Sequence, residues 1–216
     1  MVSSASGVSA GTQAAQRAAG GRRERRARET RQRILTAAFE LFVERGVDGA
    51  TVEEIAERAD VARGTVFNYF PSKDTLCGSI GSLMMDRVQE AMERDEVAGL
   101  SAGEKITRAM RLMTEFPVKE PHRFREVMLR GMSAAVPGEL PEHRRRELEL
   151  LESLVVEGQD AGEFRTDYPA HEIAGFMLGL HFQTTLVWAL GFVPGSPADH
   201  TARMVALALE GVRSRD

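Results

Sequence analysis

The sequence predicts an all-α protein, and three observations carry that prediction. Ala, Leu, Glu, Arg and Met are plentiful, and all favour helices. Runs of β-branched residues in strict alternation, which would mark strands, are scarce. Apolar residues instead recur at three-and-four spacing along most of the chain. With 216 residues, 43% hydrophobic and 28% charged, the chain can bury a core and form one large domain or a small one plus a medium one.

The first 21 residues are rich in Ser, Gly and Ala and lack the apolar stretch of a secretory leader, so they are expected to be a flexible tail. Residues 17–33 hold eight arginines against two glutamates, a local charge of +6. The chain total is −4, so the remainder carries −10. A basic arm on an acidic body points to a polyanionic partner at one end only. Residues 1–27 are read as a disordered basic arm. The arginines of 22–33, Arg28 among them, are candidates for contact with phosphates or a minor groove.

Residues 28–45 place Ile34, Leu35, Ala38, Phe39, Leu41 and Phe42 on one helical face, and Gly46 is a natural stop. Thr51 with Glu54 three residues later forms a capping box that opens a helix of about two turns, with Ile55, Ala56 and Ala59 inward. The stretch 60–62 breaks that helix, and a second short one follows over 63–69. Two short helices, a tight turn and a small Ala56 where they cross make a helix-turn-helix. Pro71 ends the second helix and Ser72 caps the next. Further helices are expected over 72–97, 102–115, 122–135, 142–161, 170–191 and 198–213.

The run "TVEEIAERADVARGTVFNYFPSKDTL" resembles the DNA-binding domain of the TetR (tetracycline-repressor) family of bacterial transcription regulators, and the resemblance covers residues 30–76. "GEFRTD" at 162–167, before a long apolar helix, is similar to the C-terminal domain of that family. The resemblance implies a three-helix N-terminal head at 28–76 that binds DNA. It also implies a helical body at 77–216 that holds an effector and a dimer interface. Two positions depart from the family pattern. Asp60 stands where glycine is usual, at a turn whose backbone visits positive φ, which Asp tolerates better than most residues. Phe67 stands where tyrosine is usual, so a phenolic hydroxyl is missing and any contact there is apolar.

A recognition helix presents its N-terminal residues to base edges. Arg63, Gly64 and Thr65 hold those places, with Arg63 suited to a bidentate contact with guanine. Phe67, Asn68 and Tyr69 follow along the exposed side, whereas Val66 and Phe70 are expected inside. Thr51 and Lys73 are candidate phosphate clamps at the two flanks. One short helix reads few bases, so two half-sites and a two-fold homodimer on double-stranded operator DNA are expected. The helices over 170–191 and 198–213 are the candidate dimer surface, with Gly175 and Gly179 allowing close approach.

Met110, Met113, Phe116, Phe124, Met128, Met132, Phe176 and Leu180 form a pliable apolar set, and His181 is a candidate polar handle. Such a set also describes a plain core. It is read as the pocket for a small apolar or amphipathic effector of unknown identity. The histidines are scattered and the single cysteine, Cys77, excludes an internal disulfide or a cysteine cluster, so no metal and no cofactor is expected. Residues 173–193 carry no formal charge over a length that could span a bilayer. His181, Gln183, Thr184 and Thr185 at the centre favour a helix buried between others, so no membrane partner and a cytoplasmic location are expected. The expected function is a ligand-responsive repressor, not an enzyme. The alternative is a helical protein-binding or enzyme module without operator binding.

Overall fold

In the computed structural model, residues 7–115, 121–133 and 138–213 are described, and among them eleven helices and no strand occur. Helix α1 (Gly7–Arg45) ends at Gly46, whose φ of 80° suits the left-handed stop. Residues 7–27, read from the sequence as part of a disordered arm, continue α1 as helix. Ala, Arg, Gln and Glu outweigh the glycines there in helix propensity.

Helix α2 (Val52–Arg58) opens on Thr51 with both arms of the capping box formed. The Glu54 amide donates to the Thr51 hydroxyl at 3.2 Å, and the Thr51 amide donates to Glu54 Oε2 at 2.9 Å. Helix α3 (Arg63–Tyr69) follows through Asp60, the one non-glycine with positive φ among the described residues, at 52°. The turn closes on backbone bonds from Asp60 to the Glu57 carbonyl and from Val61 to the Ala56 carbonyl, at 3.1 and 3.0 Å.

The single helix expected over 72–97 is broken into α4 (Lys73–Ser79), α5 (Gly81–Met92) and α6 (Asp95–Ala98). Gly78 and Gly81 weaken the helix at the first break, and bonds spanning three residues tighten the chain around Ile80. Close approach explains Gly81: a Cβ there would lie 2.5 Å from the His143 ring. Ser72 caps α4, accepting from the Thr75 amide at 3.1 Å.

The body comprises α7 (Ala102–Thr114), α8 (Pro121–Ser133), α9 (Glu142–Asp160), α10 (Ala170–Ala189) and α11 (Pro197–Val212). The segment 162–167 links α9 to α10 and locks the body. Phe164 is buried, and Glu163 receives the Ala102 and Gly103 amides at the start of α7 at 2.9 and 3.1 Å. One core holds Ile106, Met110, Leu151, Val155, Ile173, Met177 and Val205.

The core of the head is not closed by its own helices. Ile34, Phe42, Ile55, Val66, Phe70, Leu76 and Ile80 share one cluster with Phe124 and Val127 of α8 and with Trp188 and Ala189 of α10. The expected boundary at residue 76 therefore falls inside α4. Arg130 of α8 holds Asp48 at 2.9 Å and lies 3.7 Å from Asp74, fastening the body to the head on both sides. No helix among the described residues is long and apolar enough to cross a membrane; α10 buries Ile173, Ala174, Met177, His181 and Trp188 and leaves Phe176 and Phe182 exposed.

Candidate nucleic-acid interface and effector cavity

Burial of Val66 and Phe70 fixes which way α3 turns. Arg63, Gly64, Phe67 and Asn68 are left outward, and Thr65 and Tyr69 are half-buried. Tyr69 leans on the core beside Phe70 and presents only part of its ring. Arg63 is already held. Its Nε donates to Glu53 Oε1 of α2 at 2.9 Å, and its guanidinium lies 5.4 Å from the Phe67 ring centre. Both partners of the ion pair are largely exposed, so water screens the pair and an incoming polyanion can displace Glu53. Phe67 is 41% exposed and serves as a shelf beneath the Arg63 plane. Thr51 is exposed at the near flank, and Arg28 is exposed on α1.

Lys73 behaves differently from the free clamp expected of it. Its ammonium donates to the Val47 and Ala50 carbonyls at 2.9 and 3.1 Å, tying the α1–α2 loop to α4. Two of its three donors are spent on structure.

A cavity of about 40 Å³ lies in the body, between α5, α7, α8, α9 and α10. Its apolar wall is Ile80, Met84, Met85, Met113 and Met128. Its polar wall is His143, Arg144 and Glu147 of α9 with His181 and Thr185 of α10. Glu147 is buried, yet charged partners surround it. Its Oε2 accepts from Arg144 at 2.8 Å, and its Oε1 meets His181 Nδ1, which also lies 3.1 Å from Arg144 Nη1. Burial pushes the Glu147 carboxyl up, but His181 and Arg144 together hold it below the ordinary carboxylate value. Burial, helped by neighbouring Arg144, pushes the His143 imidazole down to about 4, so it is neutral at pH 7. The Thr185 hydroxyl is buried with no hydrogen-bond partner.

A family model for bacterial regulatory proteins of the tetR family matches residues 34–80. The transcriptional repressor KstR of Mycobacterium tuberculosis is 35% identical over 79 residues, 37% of this chain and 36% of its own length. The fatty acid metabolism regulator protein of Bacillus subtilis is 26% identical over 161 residues, 73% of this chain and 82% of its own. A crystal structure of Thermus thermophilus FadR, a TetR-family transcriptional repressor in complex with lauroyl-CoA, aligns with a TM-score of 0.61. It does so at 26% identity, covering 86% of this chain and 96% of that one. Residues 34–80 carry the DNA-binding domain of the TetR family. The chain spans between about a fifth and about a third of the length of the curated relatives that it matches at 35% identity or more. Relatives in the family are transcription regulators rather than enzymes.

Against the TetR-family reading of the body, the expected pocket set divides. Met113, Met128 and His181 do line the cavity. Met110 is buried in the separate core of α7, α9 and α10. Phe124 does not line the cavity: it packs edge-to-face on Phe39 at 6.1 Å and at a tilt on Trp188 at 5.8 Å inside the head core. Met132 is half-buried on α8 away from the lining. Phe176 and Leu180 border a groove of about 560 Å³ on the outer face of α10 and α11. Phe116 lies outside the described residues. Sequence reasoning missed Glu147, Arg144, His143 and Thr185. A signal existed for Glu147, which sits four and seven residues before Leu151 and Leu154 on the apolar face of α9. Among the described residues no group of three or more metal-ligating side chains occurs.

Proposed function

We propose that the chain is a ligand-responsive transcriptional repressor that binds a palindromic operator as a homodimer and releases it when a small effector enters the body. The observation that carries this reading is the outward row Arg63, Gly64, Phe67 and Asn68 on α3, set by the burial of Val66 and Phe70. Such a row fits a major groove, with Arg63 reading guanine from the Phe67 shelf and Thr51 and Arg28 meeting phosphates. Exposed arginines along the first part of α1 supply further charge toward the duplex.

The second copy is proposed to sit on α10 and α11. Phe176 (55% exposed), Phe182 and Leu207 (69% exposed) form an apolar outer face beside Gly175 and Gly179. A face so apolar is a natural association surface, and an isologous pairing sets two α3 helices at a fixed spacing. Release follows from how the cavity adjoins the head. Thr185 lies one turn before Trp188, which packs on Phe124 and, through it, on Phe39 of α1. Ile80 and Gly81, at the α4–α5 kink, line the same cavity. A ligand that prefers one arrangement of these helices moves the heads; a coupling of ~1–3 kcal/mol changes operator affinity 5- to 150-fold. The lauroyl-CoA bound by the Thermus thermophilus relative supports a small-molecule effector in general. A cytoplasmic location accords with operator binding.

Footprinting on DNA upstream of the chain's own gene is the test. Two protected half-sites about 34 Å apart are expected, and Arg63→Ala should relax base preference at one position in each. No protected site at low salt, or a monomer on DNA, overturns the reading. Removing residues 1–27 should flatten the salt dependence of binding.

A further inference from the structure

We propose that the effector is an uncharged, largely apolar molecule with a single oxygen function, which hydrogen-bonds to the Thr185 hydroxyl at the polar wall of the body cavity. The proposal rests on the effector-binding reading above and narrows its chemistry.

Thr185 is 3% exposed, and its Oγ1 has no partner although it sits on a helix where back-bonding was available. A buried hydroxyl left unpaired is costly, and a ligand that pairs with it recovers that cost only on binding. The neighbouring His143 ring is neutral and makes no hydrogen bond among the described residues, so it offers a second donor or acceptor. The neighbouring hydroxyl does not share this state: Thr184 donates to the His181 carbonyl at 3.0 Å and receives Thr201 at 3.2 Å.

Charge at the same wall is balanced. Arg144, the one cation among the described lining residues, donates to Glu147 and lies 5.5 Å from the Phe182 ring centre. Glu147 has each oxygen engaged, one by His181 and one by Arg144. An entering carboxylate or phosphate would compete with Glu147 for its partners and place a second anion beside a buried one. An entering ammonium would find no carboxylate oxygen unengaged. Uncharged oxygen meets no such conflict. The four methionines opposite can change rotamer to enlarge a space that is small as it stands.

The full-length chain provides its own reporter, because Trp188 is the single tryptophan and lies one turn from Thr185. Titration with octan-2-one, octanoate and octylammonium, followed by Trp188 fluorescence and calorimetry, compares equal chains with three head groups. Octan-2-one should bind saturably and at least about tenfold more tightly than either ion. Thr185→Val should weaken it about tenfold and Thr185→Ser should not, as loss of one buried hydrogen bond requires. Octanoate binding as tightly as the ketone overturns the proposal, as does a Thr185→Val variant with unchanged affinity. Failure of all three probes to bind the wild-type chain also overturns it and leaves the cavity a packing void. Footprinting without ligand separates the two readings: operator binding with no preference for the ketone sinks this proposal alone, and ketone binding without any operator sinks the regulator reading alone.

Discussion

Between Thr51 and Lys73 the head sets out the side chains proposed to meet DNA on two short helices and one turn. The cavity of the body instead takes its walls from five helices spread between Ile80 and Thr185. The charged groups differ in the same way. Arg63 and Glu53 pair in solvent, where the pair contributes little and is easily exchanged for a phosphate. Arg144, Glu147 and His181 pair out of water, where each depends on the others. A surface built to meet a changing partner keeps its charges cheap to rearrange. A cavity that must discriminate keeps them fixed.

The largest expected effect breaks this contrast at the body. Glu147→Ala leaves Arg144 and His181 without their anion in a buried site, and should lower unfolding free energy by about 3–5 kcal/mol in denaturant titrations. Glu53→Ala in the head should change stability by less than about 0.5 kcal/mol and should raise operator affinity by releasing Arg63. Equal effects of the two substitutions would erase the distinction between the regions.

The pH response should separate them next. The His143 value is depressed to about 4, so the unfolded chain takes up this proton first as pH falls. Stability is therefore fully present above about 6.5 and drains away between there and about 4, by roughly 3 kcal/mol in all. His200 is depressed too, by burial and by Arg203, so wild-type melting alone does not isolate the effect. His143→Gln should flatten the profile over that window. Glu147 is also depressed, and its contribution is lost only below the ordinary carboxylate range, so the two steps appear at different pH.

Why the head was legible and the cavity was not follows from the same comparison. The capping box at Thr51 and Glu54, the stop at Gly46 and the cap at Ser72 are local rules, satisfied by neighbours within four residues. The positive φ at Asp60 was foreseeable from the family resemblance, in which glycine is usual at that turn position. The cavity depends on which faces of distant helices meet, and periodicity does not say that. Phe124 illustrates the failure: an aromatic on an amphipathic helix suits a pocket or a core equally, and only the arrival of Trp188 from α10 decides for the core. The structural part of Lys73 was not legible for a related reason, since the carbonyls it caps come from residues 23 and 26 positions earlier. The α4–α5 break was readable in principle from Gly78 and Gly81, but its purpose, room for His143, was not.

Within the head, the local rules themselves can be weighed. Thr51→Ala removes the hydroxyl that accepts the Glu54 amide and should cost about 1 kcal/mol of stability. If Thr51 also meets a phosphate, operator affinity should fall further than the stability loss explains. Thr51→Ser should restore both.

The smallest effect runs in the opposite direction. Asp60 holds φ at 52°, a conformation that costs an L-residue with a Cβ about 1 kcal/mol. Asp60→Gly removes that strain, but it also frees the unfolded chain, and the two effects partly cancel. The aspartate carboxylate offers little in return: it is almost fully exposed and stands 3.7 Å from Arg33, a pair that solvent screens. The net expectation is a gain of about 0.5 kcal/mol with α2 and α3 unmoved. Operator affinity should rise slightly as well, because one negative charge leaves the DNA-facing end of the head. A destabilised Asp60→Gly variant would mean that the Asp60 side chain stabilises the turn by more than its strain costs, and that the head, like the body, relies on a side-chain contact that local sequence rules do not reveal.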